Sequence, residues 1–196
     1  MGKNIAILAS GNGTNAENII RYFREKATAR VALVLTNRQS AYVLQRAASL
    51  DVPALCFNKE EWADGHPVLQ ALQAHAIDFV VLAGFLARVP DNILHAYPQR
   101  MVNIHPSLLP KFGGKGMYGD RVHQAVLAAG ETESGITIHY TNEHYDEGAI
   151  IRQYACPVLP DDTPDTLAAR VHQLEYAHYP EVIEALVQAL PSLRTT

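Results

Sequence analysis

At 196 residues, with 48% hydrophobic and 18% charged side chains, the chain has enough apolar material for one domain of the larger sort. Its formal net charge of −4 argues against a nucleic-acid binder, which would carry a basic field. No apolar run approaches the roughly 20 residues of a membrane span, and the short run that follows Lys3 meets a Gly-rich turn at once, unlike a signal peptide.

In chain order, residues 5–9 read as a buried parallel strand, Ser10-Gly11-Asn12-Gly13-Thr14-Asn15 as a turn, and 16–24 as a helix with Ile19, Ile20 and Phe23 on one face. Strand 31–35, helix 42–50, strand 54–57 (entered through Asp51-Val52-Pro53), helix 66–75 and the apolar strand 78–82 follow. This alternation predicts an α/β fold: a Rossmann-like, doubly wound, mostly parallel sheet with right-handed crossovers. A loop at 84–88, a short helix at 91–96 and a fifth strand at 101–105 complete the first part.

The second part changes character. Residues 111–120 form a loop with four glycines, and 122–129 a helix. In 135–140, Ile136, Ile138 and Tyr140 alternate with Thr137 and His139; with strand 149–158 this predicts a hairpin-like pair joined by the polar connection 141–148. Thr163-Pro164 is a helix start, an N-cap followed by Pro at the first helical position. Leu167, Val171 and Leu174 follow at helical spacing; Pro180 should break or restart this helix, with Val182, Ile183 and Leu186 continuing the stripe. Residues 191–196 read as a loose tail. Cys56 and Cys156, isolated in apolar runs, read as buried thiols in a reducing cytoplasm.

Three stretches carry candidate chemistry. At the end of the fifth strand, Asn103 and His105 should share a face opposite Val102 and Ile104, and Pro106 stops the ladder just where open α/β sheets bind ligands. Gly11-x-Gly13-x-x-Ala16 matches a loose phosphate-turn pattern, in which glycines admit the phosphate and a helix N-terminus supplies N–H donors. A dinucleotide site would also need a carboxylate after the second strand; Thr36-Asn37-Arg38 stands there instead, so an NADP enzyme using Arg38 and a single-phosphate site both remain open. Gly113-Gly114-Lys115-Gly116 lacks the upstream Gly and the following Ser/Thr of a P-loop. Tyr145-Asp146-Glu147-Gly148 places a carboxylate after the strand carrying His139; its interest depends on meeting His105 in space. His139, His144 and Asp146 are metal-type ligands without a zinc-finger or metalloprotease spacing, and no metal is expected.

Asn103-Ile104-His105-Pro106-Ser107-Leu108-Leu109-Pro110, with Asp146-x-Gly148 downstream, resembles the folate-dependent formyltransferases. Ser10 to Asn15, Leu82-Ala83-Gly84-Phe85 and Glu175-x-x-x-Tyr179-Pro180 look like the phosphoribosylglycinamide formyltransferases within that family, over essentially the whole chain. The resemblance implies one formyltransferase domain over 1–196: a nucleotide-phosphate half at 1–100, a catalytic and folate-binding half at 101–190, and the tail. It implies transfer of the formyl group of 10-formyltetrahydrofolate, a co-substrate, to the amine of glycinamide ribonucleotide in purine synthesis, in a cytoplasmic monomer or homodimer. The length points away from methionyl-tRNA formyltransferase, which carries a further C-terminal domain, and from formyltetrahydrofolate hydrolase, which carries an N-terminal regulatory one.

Carried over by position, Gly13, Thr14 and Asn15 hold the phosphate and Glu175 approaches the ribose. Phe85, Leu86, Ala87, Arg88 and Val89 on one side, and Thr141, Asn142, Glu143, His144 and Tyr145 on the other, wrap the pterin. Asn103, His105 and Asp146 perform the transfer: Asn103 and a protonated His105 face the developing oxyanion, and Asp146 favours the imidazolium and orders a proton-carrying water. Ser107 shapes the loop. A cis proline is expected near Leu109-Pro110. The chain departs from commoner members in its Gly-rich 112–120 loop, with Met117 and Tyr118, and in placing Arg88 one position late.

Overall fold

The computed structural model describes residues 2–191. The elements are β1 (Lys3–Leu8), α1 (Thr14–Lys26), β2 (Ala29–Thr36), α2 (Val43–Ser49), β3 (Ala54–Cys56), α3 (Lys59–Asp64), α4 (His66–Ala74), β4 (Phe79–Leu82), α5 (Asp91–Ala96), β5 (Met101–His105), α6 (Asp120–Ala128), β6 (Glu133–Tyr140), β7 (Ile150–Pro157) and α7 (Pro164–Ala189). The strands form one sheet in the order β3-β2-β1-β4-β5-β6-β7. β1 to β5 pair in parallel, while β6 runs antiparallel to β5 and β7 antiparallel to β6. The doubly wound, mostly parallel sheet read from the alternation is therefore present, closed at one end by an antiparallel pair.

Strand alternation divides the core into two layers. Ile5 and Ile7 of β1 pack with Ile19 and Phe23 of α1, Val122 and Val126 of α6, and Val171 and Ile183 of α7. Ala6 and Leu8 point the other way, to Trp62 of α3, Leu72 of α4 and Ile93 of α5. A parallel strand covered on both faces must be apolar at every position, which is why 5–9 carries no polar residue. Val102 and Ile104 lie in the first layer and Met101 in the second, so Asn103 and His105 occupy the face expected of them.

Some sequence readings need correction. Helix α3 went unread, although Asn58 and Glu61 form a capping box: the Asn58 side chain accepts from the N–H groups of Glu60 and Glu61 at 2.9 Å, and the Asn58 N–H donates to Glu61 Oε2 at 2.7 Å. Pro180 does not break α7, which runs unbroken across it. The carbonyl orphaned by the missing N–H is that of Tyr176, and it accepts instead from Asn18 Nδ2 of α1 at 3.0 Å. Cys56 is only half-buried, whereas Cys156 is buried; both are free thiols. Of the expected tail, residues 192–196 lie outside the described residues. Among the described residues no helix is long and apolar enough to cross a membrane.

The sheet order positions the site. β1 lies between β2 and β4, so the winding reverses there and the segments leaving β1 and β4 diverge, opening a crevice at their carboxyl ends. Leu8, Leu82 and Asn103 stand level in the paired registers, so β1, β4 and β5 deliver their following loops to one place.

Candidate active site

The turn after β1 is held from behind by α2. The Val43 N–H donates to the Gly11 carbonyl at 3.1 Å, and Arg46 Nε donates to the Asn12 carbonyl at 2.8 Å. Arg46 Nη2 also donates to Asn12 Oδ1 at 2.6 Å, and the guanidinium pairs with Glu17. In a trans peptide the N–H points opposite to the preceding C=O, so these contacts turn the Asn12 and Gly13 N–H groups away from α2. Gly13 takes φ +77°, and a Cβ there would lie 2.4 Å from Val43 Cγ2, so only glycine fits. With the N-terminus of α1 directly after it, the turn has the form of an anion nest. Ser10 ties it to its neighbours, donating from Oγ to Asn37 Oδ1 at 2.7 Å and accepting from the Leu86 N–H at 2.9 Å.

Asn15, in the first turn of α1, donates from Nδ2 to Glu175 Oε2 at 2.8 Å. Glu175 is buried on α7, and burial pushes its carboxyl above the ordinary range against the opposing pull of Asn15 and His172. One turn later, the fully buried Tyr179 hydroxyl reaches the Leu82 carbonyl at 2.8 Å and the Val102 carbonyl at 3.3 Å. That contact clamps α7 to the end of β4 and the start of β5 and sets Glu175, on the same helical face, against the crevice.

Asn103, His105 and Asp146 come together. Asp146 Oδ2 lies 3.4 Å from His105 Nδ1 and accepts from the Gly114 N–H at 2.9 Å, and Asp146 Oδ1 accepts from Asn103 Nδ2 at 3.4 Å. Asp146 sits at φ +58°, and a Cβ on Gly148 would lie 1.6 Å from the Tyr140 carbonyl oxygen; the connection thus hugs the end of β6 and swings the carboxylate inward. Burial pushes the Asp146 carboxyl up, but His139, His105 and the Gly114 N–H outweigh it and hold the group below the ordinary carboxylate range.

His105 departs from expectation. Its Nε2 lies 2.7 Å from the Phe112 carbonyl, which only accepts, so the ring proton sits there. Burial pushes its pKa below the ordinary 6.5, and the nearby Asp146 opposes without prevailing. Burial thus weighs against the imidazolium that a neighbouring carboxylate alone would favour, while Asp146 and the Phe112 carbonyl pull toward it.

His139, read in the sequence only as a metal-type ligand, is the residue that was missed. It pairs directly opposite Asn103 across β5 and β6. Its Nδ1 donates to the Tyr140 carbonyl at 2.8 Å, leaving Nε2 to accept from Asn103 Nδ2 at 3.2 Å, which fixes the amide's orientation. The signal for it was the period-two alternation that puts His139 on the face opposite Ile138. Ser107 donates from Oγ to the Lys111 carbonyl at 2.7 Å, as a loop-shaping hydroxyl does, and the Leu109–Pro110 peptide is cis.

These groups open on one cleft of about 530 Å³. Gly13, Thr14, Asn15 and Glu175, residues 85–89 and 141–145, and Asn103, His105 and Asp146 all line it. The residues given transfer, phosphate, ribose and pterin roles in the sequence thus all line the same cavity. The region after β1 and the polar connection after β6, far apart in the chain, meet across it.

The formyl transferase family model matches residues 3–183. The chain belongs to the formyl transferase family. It is 41% identical over 192 residues to the chloroplastic phosphoribosylglycinamide formyltransferase of Arabidopsis thaliana, covering 95% of this chain but 66% of that relative's length. It is 37% identical to phosphoribosylglycinamide formyltransferase of Bacillus subtilis, covering 94% of this chain and 95% of the relative. The solved glycinamide ribonucleotide transformylase 1 of Symbiobacterium toebii superposes with a TM-score of 0.88 at 36% identity, over 97% of this chain and 92% of that one. The sheet described above is the formyl transferase fold.

Within that fold, the NADP reading loses its geometry. Arg38 lines a neighbouring groove with Lys59 and Asp91, not the cleft that holds Gly13. The metal-type trio is not a cluster either: His139 Nε2 lies 3.6 Å from Asp146 Oδ1, His144 is exposed, and no group of three or more ligating side chains gathers among the described residues. Arg88 donates to Asp91 Oδ1 at 2.5 Å, so its charge is partly spent within the loop.

Proposed function

We propose that this formyl transferase moves the formyl group of 10-formyltetrahydrofolate to the amine of glycinamide ribonucleotide, a step of purine synthesis. The observation that carries this is that Asp146 lies 3.4 Å from both Asn103 and His105, in one cleft with the phosphate nest and with residues 85–89 and 141–145. The nest, with Thr14 and Asn15, suits the nucleotide phosphate, and Glu175 suits ribose hydroxyls. The bay between Phe85 to Val89 and Thr141 to Tyr145 suits a flat pterin, and the formyl carbon then faces Asn103.

In this reading the substrate amine forms a new bond to the formyl carbon, and the bond from that carbon to the folate nitrogen breaks. Charge develops on the formyl oxygen. Asn103 donates to it with the N–H now held in the long 3.4 Å contact to Asp146, while its other N–H stays on His139. Each such preorganised donor is typically worth about 2.7–4 kcal/mol. The neutral His105, backed by the Asp146 carboxylate, accepts the proton released by the amine through an ordered water and returns it to the leaving folate nitrogen. This replaces a pre-formed imidazolium with one made during the reaction, when Asp146 at 3.4 Å stabilises it most.

The test mixes the protein with 10-formyltetrahydrofolate, with and without glycinamide ribonucleotide. Tetrahydrofolate released only with the nucleotide supports the reading. Release in its absence supports a hydrolase, and no release in either case removes the folate assignment.

A further inference from the structure

His123 is a histidine the chemistry above leaves unused. It lies in the first turn of α6, is only 2% exposed, and lines the cleft. Its Nδ1 is buried with no hydrogen-bond partner. Its neighbours on the buried side of α6 are Val122 and Val126, so an aliphatic side chain would suit the packing there. A buried polar group without a partner lowers stability, so a histidine on this cleft wall has a use beyond packing. Burial, with His172 on α7 and His105 on β5 pushing the same way against Asp120, holds its pKa below the ordinary 6.5. In its neutral form the ring offers one donor nitrogen and one acceptor nitrogen. His172 lies one turn before Glu175 on α7 and also lines the cleft, and the charges of His172 and His105 both act on His123, which places it near each of them.

We propose that His123 is a substrate-contacting specificity residue whose imidazole hydrogen-bonds the glycinamide arm that joins the ribose to the reacting amine. An amide offers one N–H and one C=O, the complement of a neutral imidazole, whereas a phosphate would call for a cation and already has the nest. The inference rests on glycinamide ribonucleotide being the acceptor.

Steady-state kinetics on wild type, His123→Phe and His123→Asn test it, with thermal melting of each protein. His123→Phe should raise KM for the nucleotide about tenfold or more and leave KM for the folate within about twofold. It should melt no lower than wild type, because an apolar ring replaces an unpartnered polar one. His123→Asn, which keeps a donor and an acceptor, should recover most of the nucleotide KM. A merely structural histidine would instead lower the melting temperature and shift both KM values. Unchanged nucleotide KM in both variants of an active enzyme overturns the inference alone. Wild-type protein that leaves glycinamide ribonucleotide unformylated overturns the acceptor assignment and this inference with it.

Discussion

Replacing Asp146 with Asn isolates charge from shape. The side chain is near-isosteric and keeps an oxygen for the Gly114 N–H that now donates to it at 2.9 Å. What disappears is one negative charge 3.4 Å from His105, on a side chain only 11% exposed. At about 4 Å and an effective dielectric near 20, a unit charge pair is worth about 4 kcal/mol. At about 1.4 kcal/mol per tenfold in rate, losing that stabilisation of an imidazolium formed during transfer slows turnover by roughly a thousandfold. General acid–base contributions of about 10²–10⁴ bracket the same figure. Initial rates of tetrahydrofolate release at saturating substrates read kcat directly, and nucleotide titration reads KM. The nucleotide KM should stay within about twofold, since the nest and Glu175 are untouched. Turnover within about fivefold of wild type, from a variant with an unaltered melting temperature, would refute the role given to Asp146.

Arg46→Ala should release the Asn12 peptide that its guanidinium holds at 2.8 Å, raising nucleotide KM about tenfold while folate KM stays put. Equal KM values in variant and wild type would show that Val43 alone orients the turn. Asn18→Leu removes the partner of the carbonyl orphaned by Pro180 and should cost about 0.5–1.5 kcal/mol, read as a lower urea midpoint at constant slope. An unchanged midpoint would mean that water satisfies that carbonyl equally well. Burial holds His105 and His123 below 6.5, so the unfolded chain takes up protons that the folded one refuses. Their contribution to stability is complete above 6.5 and is lost as pH falls through that value toward the depressed folded pKa. Melting temperature should therefore fall between about pH 7.5 and about pH 5, less steeply in His123→Phe; a flat or rising profile contradicts the neutral rings.

The parts of the site legible in the sequence are those built from local chain. β5 with its halting Pro106, and the Gly11 to Asn15 turn, carry their geometry in adjacent residues, and each sits where the sequence places it. The meeting of Asp146 with His105 was a spatial inference, because 41 positions separate them and only the antiparallel turn of β6 back onto β5 closes the distance. His139 was visible as a residue but not as a partner: its role depends on a cross-strand register that puts it opposite Asn103. Arg46 left no mark, since nothing in the α2 sequence says that its guanidinium reaches back to Asn12. The lowered pKa of His105 was likewise hidden. A neighbouring carboxylate suggests a cation, and the depth of burial outweighs both that carboxylate and the Phe112 carbonyl, which pull the other way. Pro180 misled for a related reason: the rule that proline ends a helix assumes that the freed carbonyl goes unpaired, and here another helix supplies the donor.

Following the formyl carbon itself tests the account most directly. With 10-formyltetrahydrofolate carrying carbon-13 in the formyl group, NMR of a reaction containing glycinamide ribonucleotide should show the label bound to the nucleotide's nitrogen, in step with tetrahydrofolate formation and roughly a thousandfold slower when Asp146 is replaced by Asn. Label appearing as free formate, or remaining on the folate, would contradict it.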